Sequence, residues 1–203
     1  MKHDRLHALS DVIFAIVMTL LVLELRVPVI EHASNRQLLE VLYKDRAVFV
    51  SYLISFTLLF IYWRAHNFII STMAKNIDIN IVNLNMLFLL LVGIVPFTTH
   101  FMGSYSNTQV GITIYALNII FIGLNLAAMR TYVDKSPNIE SEERTVEQLQ
   151  TAYIRIFTPI ICSALAIPAS FFNTSLAFCI LLFAIVFNLF NNAADMIRKV
   201  FRI

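Results

Sequence analysis

Charged residues are scarce in this chain, and they are unevenly distributed. Asp, Glu, Lys and Arg make up 14% of the 203 residues, whereas a soluble domain carries about a quarter. Residues 79–129 and 156–194 contain none of the four. Each of these runs is long enough for two membrane-spanning helices, which need about 20 apolar residues each. With 59% hydrophobic residues and a mean hydropathy of +0.75, the chain is therefore predicted to be an all-α membrane protein in contact with a lipid bilayer.

Cysteine is rare, and the motifs of enzymes are missing. Cys162 and Cys179 lie in apolar runs without His or carboxylate at ligand spacing, which favours neither a disulfide framework nor a zinc site. The sequence shows no nucleophile–base pair and no phosphate-binding loop. Its formal net charge of +2 is too small to indicate nucleic acid binding. We therefore expect no enzyme activity, no cofactor, no resident metal and no nucleic acid partner.

Apolar length and polar interruptions predict six transmembrane helices in a single domain, residues 1–203. The predicted helices are 5–25, 47–68, 77–101, 108–132, 152–171 and 175–197. A short amphipathic surface helix is expected within 29–46, and the longest aqueous loop at 133–150. Of the basic residues near the helix ends, eleven fall on the side of the N-terminus and four on the other side. This bias predicts that both termini are cytoplasmic.

The first helix raises a problem of length. Only twelve uncharged residues separate Asp11 from Glu24, and a helix of that length rises about 18 Å, well short of the ~30 Å apolar core of a bilayer. Ile16, Leu20 and Leu23 form one apolar stripe, and Asp11 lies about 140° from Ile16. Either the stripe or the Asp11 face can line a central pathway, and the two arrangements exclude each other.

Asp11 has polar residues at a comparable depth on the second and third predicted helices. Trp63, His66 and Asn83 are among them. A carboxylate that accepts hydrogen bonds from such groups can stay ionised, each bond to a charged group contributing about 1.5–3 kcal/mol. The cluster either anchors the helices at the inner membrane surface or serves a function, and geometry alone leaves both open.

The start of the first helix resembles a family signature. R-L-H-A-L-S-D at 5–11 matches the R-x-x-x-F-S-D signature of the transmembrane protein 175 family of lysosomal and prokaryotic potassium channels, with Leu9 in place of phenylalanine. YWRAHN at 62–67 and NLNMLFLLLVGIVPFTT at 83–99 are also similar to that family. The resemblance implies a prokaryotic member in the plasma membrane. It also implies a homotetramer of six-helix subunits whose first helices line a central pore.

The resemblance assigns roles to residues of the first helix. Ile16 falls on the hydrophobic pore constriction, with Leu20 and Leu23 further along the same wall, and Thr19 falls on a position implicated in ion selectivity. In a tetramer, Glu24 would either form a ring of carboxylates at the pore mouth or pair with a nearby basic residue. The signature and inter-helix network is expected to contain Arg5, Ser10, Asp11, Trp63, His66 and Asn83.

The implied activity is conduction of potassium and other monovalent cations. These are the only metal ions that we expect the protein to bind, and only transiently. The T-V-G-Y-G filter of ordinary potassium channels is missing, and few fixed oxygens would replace the hydration shell, so modest potassium selectivity is expected. A ring of Ile or Leu side chains offers no ligands and gates by dewetting. A rival function is a proton-linked secondary transporter or proton pathway that uses Asp11 and His66 as a relay. A third candidate function is that of a membrane scaffold without transport.

Overall fold

The apolar runs of the sequence fold into helices in this computed structural model, which describes residues 3–26, 34–74, 76–137, 139 and 146–189. Within these residues we number eight α-helices in chain order, and no strand is found there. They are α1 (His3–Leu23), α2 (Asn35–Lys44), α3 (Arg46–Asn67), α4 (Ile79–Gly93), α5 (Val95–Ser104), α6 (Gln109–Lys135), α7 (Val146–Phe172) and α8 (Thr174–Leu189).

Five helical segments in the described residues are long and apolar enough to cross a membrane. They are His3–Leu23, Arg46–Ser71, Ile79–Ser104, Gln109–Lys135 and Gln150–Phe172. Helix α8 is apolar but shorter, and residues 190–197 of the predicted sixth span lie outside the described residues. So do several basic residues used to predict orientation, namely Lys2, Lys75, Arg144, Arg198, Lys199 and Arg202. The helices present make the chain a multi-pass membrane protein.

The third predicted helix, 77–101, is divided into α4 and α5 inside one span. The division falls at Ile94, whose N–H donates to the Leu91 carbonyl at 3.3 Å, a tighter turn than an α-helix makes. Pro96 has no N–H to donate to the carbonyl four residues earlier, so one bond of the helical ladder is lost next to the division. Ile79–Ser104 is still a single candidate span, as predicted for 77–101, but the break at Ile94 was not predicted.

Other helix ends also differ from the predicted ones, most clearly after α3 and before α7. After α3 the chain makes a π-helical turn, Phe68–Met73, in which the Ser71 hydroxyl donates to the Asn67 carbonyl at 2.6 Å. Helix α7 begins at Val146 rather than 152, so the aqueous loop predicted at 133–150 is shorter at both ends. Helix α7 also continues through both of its prolines.

A helix is present in the stretch where an amphipathic surface helix was predicted. Helix α2 begins with a capping box in which the Ser34 hydroxyl accepts from the Gln37 N–H, and the Gln37 side chain accepts from the Ser34 N–H. Leu38, Leu39 and Leu42 are exposed. None of the side chains of α2 is buried, so this helix lies on the outside of the subunit.

Helix α6 is the centre of the subunit and packs against α4, α5 and α7. A Cβ at Gly123 would lie 2.6 Å from Ile160 Cγ1, so α6 and α7 approach closely there. Buried hydroxyls link three helices, since Thr99 donates to Ser55 at 2.7 Å and Ser55 donates to Tyr115 at 3.0 Å. Helix α1 lies to one side of this centre, against α3, α4 and α5.

Candidate pore helix and its polar anchor

Helix α1 has one face inside the subunit and one face outside it. The inside face is buried and has spacings of three and four residues; it consists of Leu6, Ser10, Phe14, Val17 and Leu21. The outside face repeats with the same spacing and consists of the exposed residues Leu9, Val12, Ile16, Leu20 and Leu23. The apolar stripe expected from the sequence therefore faces away from the subunit's own helices.

Asp11 contacts α3 and its own helix. Trp63 Nε1 donates to Asp11 Oδ1 at 2.8 Å, and His7 Nδ1, one turn earlier, lies 3.0 Å from Asp11 Oδ2. The Asp11 side chain is 40% exposed, so water shares its solvation with these two partners. His7 in turn reaches Asn67 Oδ1 through Nε2 at 3.0 Å. Both carboxylate oxygens of Asp11 are thus held where α1 meets the C-terminal end of α3.

A second, fully buried set of contacts lies beside Asp11. His66 Nε2 is 2.6 Å from Asn85 Oδ1, which can only accept, so Nε2 carries the hydrogen. Asn85 Nδ2 donates to the Ser10 hydroxyl at 3.3 Å. The His66 ring is stacked on Phe88 with 4.9 Å between ring centroids. These contacts join α1, α3 and α4, and their loss would leave buried polar atoms without partners.

Two of the predicted network residues lie elsewhere. Asn83 is exposed on α4, and the buried amide that bridges Ser10 and His66 is Asn85, two residues along. Arg5 is exposed at the start of α1. A shift of two residues moves a side chain about 200° around a helix, so sequence alone could not choose between the two asparagines.

Thr19 lies beside the exposed stripe of α1, and Glu24 directly follows the C-terminal end of this helix. The Thr19 hydroxyl is exposed and donates to the Ile16 carbonyl at 2.8 Å. Glu24 Oε2 lies 2.9 Å from His100 Nδ1 on α5, a distance at which the two attract when the imidazole is protonated. In the described residues the acid therefore meets a histidine rather than the basic residue considered from the sequence.

Two polar residues of this region were missed by sequence reasoning, His7 and His100. His7 could have been found, because it precedes Asp11 by four residues and so shares its side of the helix. His100 gave no local signal, since only the packing of α5 against α1 brings it close. Among the described residues, no group of three or more His, Cys, Asp or Glu side chains is arranged to hold a metal ion.

Residues 5–96 match the family model described as the endosomal/lysosomal potassium channel TMEM175. A Chryseobacterium protein named as a potassium channel is 29% identical over 178 residues, covering 87% of each chain. A Chamaesiphon minutus protein, also named as a potassium channel, is 34% identical over 115 residues, covering 55% of this chain and 56% of that one. A Danio rerio protein named endosomal/lysosomal proton channel TMEM175 is 24% identical over 78% of this chain but only 31% of its own length.

The fold is also found in a solved structure. The crystal structure of a lysosomal potassium-selective channel TMEM175 homolog from Chamaesiphon minutus superposes with a TM-score of 0.76. The match covers 92% of this chain and 96% of that chain at 24% sequence identity. At this identity the superposition establishes a shared helical architecture.

Proposed function

We propose that the chain is a channel of the TMEM175 family and that it conducts potassium, with modest selectivity over other monovalent cations. The observation that carries the proposal is the exposed face of α1. Ile16, Leu20 and Leu23 are 51%, 43% and 67% exposed in the subunit. A face that the described residues of its own subunit leave this exposed is available to line a pathway shared with other copies.

We infer a homotetramer of six-span, single-domain subunits in the plasma membrane of a prokaryote, with cytoplasmic termini. Four copies of α1 would surround the axis, so that each contacts protein and water instead of lipid. This arrangement removes the length problem of the segment between Asp11 and Glu24, because the ~30 Å rule applies to lipid-facing helices. Both carboxylates also have partners within the subunit, Trp63 at one end and His100 at the other.

The proposed gate is a ring of Ile16 side chains, continued outward by Leu20 and Leu23. An apolar ring of this kind holds no water when narrow, and a hydrated cation cannot cross it until α1 rotates or tilts. Thr19 lies next to the stripe and already donates its proton to the Ile16 carbonyl. Its oxygen lone pairs are therefore the groups it can present to a cation when the ring widens. In this scheme Asp11 positions α1 and does not contact the ion.

A proton pathway, or a proton-linked secondary transporter, is the second candidate. The vertebrate relatives from Danio rerio and Gallus gallus are named as proton channels. Asp11 lies 3.0 Å from the His7 imidazole, and His66 is one helical turn from Trp63, which binds the same carboxylate. A relay from Asp11 to His66 would therefore need a rearrangement or a bridging water between them, since His66 bonds to Asn85 instead.

The test is potassium flux into liposomes containing Ile16→Asn or Val22→Asn at matched incorporation. The two residues have similar exposure, 51% and 48%, but lie about 120° apart around α1. Lowering the dewetting barrier by about 1.4 kcal/mol would raise flux about tenfold, and four polar side chains in one ring should achieve at least that. We expect the increase for Ile16→Asn and no increase for Val22→Asn.

An increase for Val22→Asn with Ile16→Asn unchanged would mean that α1 is rotated and the proposed gate is wrong. The same liposomes separate the two candidate functions. Potassium flux that persists at equal pH on both sides supports the channel, whereas flux that requires a pH gradient supports the proton-linked alternative. Crosslinked species that never exceed a dimer would overturn the tetramer.

A further inference from the structure

A cavity of about 350 Å³ lies between α3, α6, α7 and α8, away from the exposed face of α1. Three arginines from three helices line it: Arg64, Arg130 and Arg155. Its volume falls in the range of small-molecule sites, about 300–1,000 Å³. Arg64 lies one turn before the end of α3 and Arg130 near the end of α6, so the cavity belongs to the end of the bundle that also holds Asp11 and Trp63.

The cavity has a strongly positive lining. Arg130 is 2% exposed, with its guanidinium carbon 5.1 Å from the Tyr153 ring centroid and its Nε 3.9 Å from Asp134 Oδ2. No Asp or Glu is found among the described residues that line the cavity itself. Guanidinium groups stay protonated at any physiological pH, so three of the residues that line the cavity carry a positive charge. An anion placed between them would be attracted by all three.

Most of the remaining lining is apolar, with Tyr62 and Asn188 as its other polar side chains. Ile61 on α3, Leu126 on α6 and Ile156 on α7 each lie one turn of helix or less from the arginine on the same helix. The cavity is therefore cationic on one side and hydrocarbon-like on the other. A small inorganic anion would use only the cationic side, whereas an amphiphile with an anionic head would use both.

We propose that this cavity binds the phosphate headgroup of an anionic phospholipid, with part of an acyl chain against the apolar wall. Basic pockets between transmembrane helices bind lipid phosphates in this way, and guanidinium groups match phosphate oxygens in a bidentate geometry. A bound headgroup would hold the ends of α3, α6 and α7 together. The proposal concerns binding alone and does not depend on whether the chain conducts ions.

The test is the melting temperature of the full-length protein in a non-ionic detergent with one of three probes. The probes are dioctanoyl phosphatidylglycerol, dioctanoyl phosphatidylcholine and inorganic phosphate. A ligand that binds only the folded protein raises the melting temperature as its concentration exceeds Kd. We expect phosphatidylglycerol to stabilise the protein and phosphatidylcholine not to. Arg64→Gln and Arg155→Gln should each weaken phosphatidylglycerol binding on the order of tenfold, since each removes a charge-assisted hydrogen bond.

Arg36→Gln on α2 is the matched control, because Arg36 is 89% exposed and far from the cavity lining. Arg155→Lys keeps the charge but not the bidentate geometry, so it should bind phosphatidylglycerol more tightly than Arg155→Gln does, which separates loss of charge from loss of fold. Phosphatidylglycerol stabilisation that survives both glutamine substitutions, or that is no larger than for phosphatidylcholine, would overturn the proposal. An equal, arginine-dependent stabilisation by inorganic phosphate would show a free-phosphate site and overturn the lipid assignment.

Discussion

Helices α1 and α6 are both apolar and long enough to span a membrane, but their positions in the subunit are opposite. The most apolar 18-residue stretch of α1 is 28% buried inside the subunit, whereas that of α6 is 61% buried. Helix α1 is nevertheless the more apolar of the two. In a membrane, then, mean hydropathy does not say which helix is central to a subunit, because lipid accepts an apolar surface as readily as another helix does.

Small and polar residues identify the central helix better than mean hydropathy does. Helix α6 contains Gly123 where α7 comes closest, and its buried Tyr115 and Asn118 form hydrogen bonds with residues of α3 and α5. Helix α1 contains no glycine, and its one buried hydroxyl is that of Ser10. Close packing and shared hydrogen bonds place α6 at the centre, while one whole face of α1 remains for contacts outside the subunit.

The largest expected effect tests whether the two faces of α1 differ energetically. Phe14 is 1% exposed and contacts the rings of His66 and Phe88, so Phe14→Ala should lower the free energy of unfolding by about 3–5 kcal/mol. Ile16→Ala on the exposed face should change it by less than about 1 kcal/mol. Denaturant unfolding of both variants in the same detergent measures the difference. Equal losses would show that the exposed face is packed as tightly as the buried one.

A smaller effect is expected where α1 is anchored to α3. Asp11→Asn removes the charge that binds Trp63 and His7, and because Asp11 is 40% exposed we expect a loss of only about 0.5–1.5 kcal/mol. Trp63→Phe should cost a similar amount, and the double variant should cost less than the sum by about 0.5 kcal/mol or more. Ion preference should stay unchanged, because Asp11 is bound to α3.

Asp4→Asn is the control for that cycle, since the Asp4 side chain is fully exposed at the same end of α1. Asp4→Asn should leave the free energy of unfolding unchanged. An Asp11→Asn protein that unfolds normally but has altered ion preference would place Asp11 at the pathway, and the Asp11 face of α1 would then replace the Ile16 stripe as its lining.

Much of the architecture could be predicted from the sequence, because long uncharged runs permit little except transmembrane helices. The contact between Asp11 and Trp63 could also be anticipated, since a carboxylate at that depth needs a donor. The division of the third span at Ile94 was missed, although Gly93 and Pro96 signal it. The choice of Asn85 over Asn83, and the approach of His100 to Glu24, depend on how separate helices pack, which no local pattern encodes.

The smallest expected effect concerns the junction between α4, which contacts α1, and the central α6. Asp78 is the N-cap of α4, with Oδ1 accepting from the Ile81 N–H at 3.0 Å and Oδ2 accepting from the Tyr132 hydroxyl on α6. Partial desolvation raises the Asp78 pKa, but the hydrogen bonds from Tyr132 and from the backbone N–H groups of Ile81 and Asn80 outweigh it. The pKa therefore lies below its ordinary value of 3.8.

A lowered carboxyl pKa contributes stability that is present above the ordinary pKa and is lost as the pH falls through the pKa of the folded protein. Melting temperature should therefore fall more steeply below about pH 4 in the natural protein than in Asp78→Asn. At pH 7 the two should differ by less than about 1 kcal/mol, because asparagine also caps a helix well. Glu40→Gln on the exposed helix α2 controls for general effects of acid. In this variant the melting temperature should fall with pH as steeply as in the natural protein. If Asp78→Asn also keeps that slope, the contact between α4 and α6 through Asp78 does not stabilise the ionised carboxylate, and the junction depends on apolar packing alone.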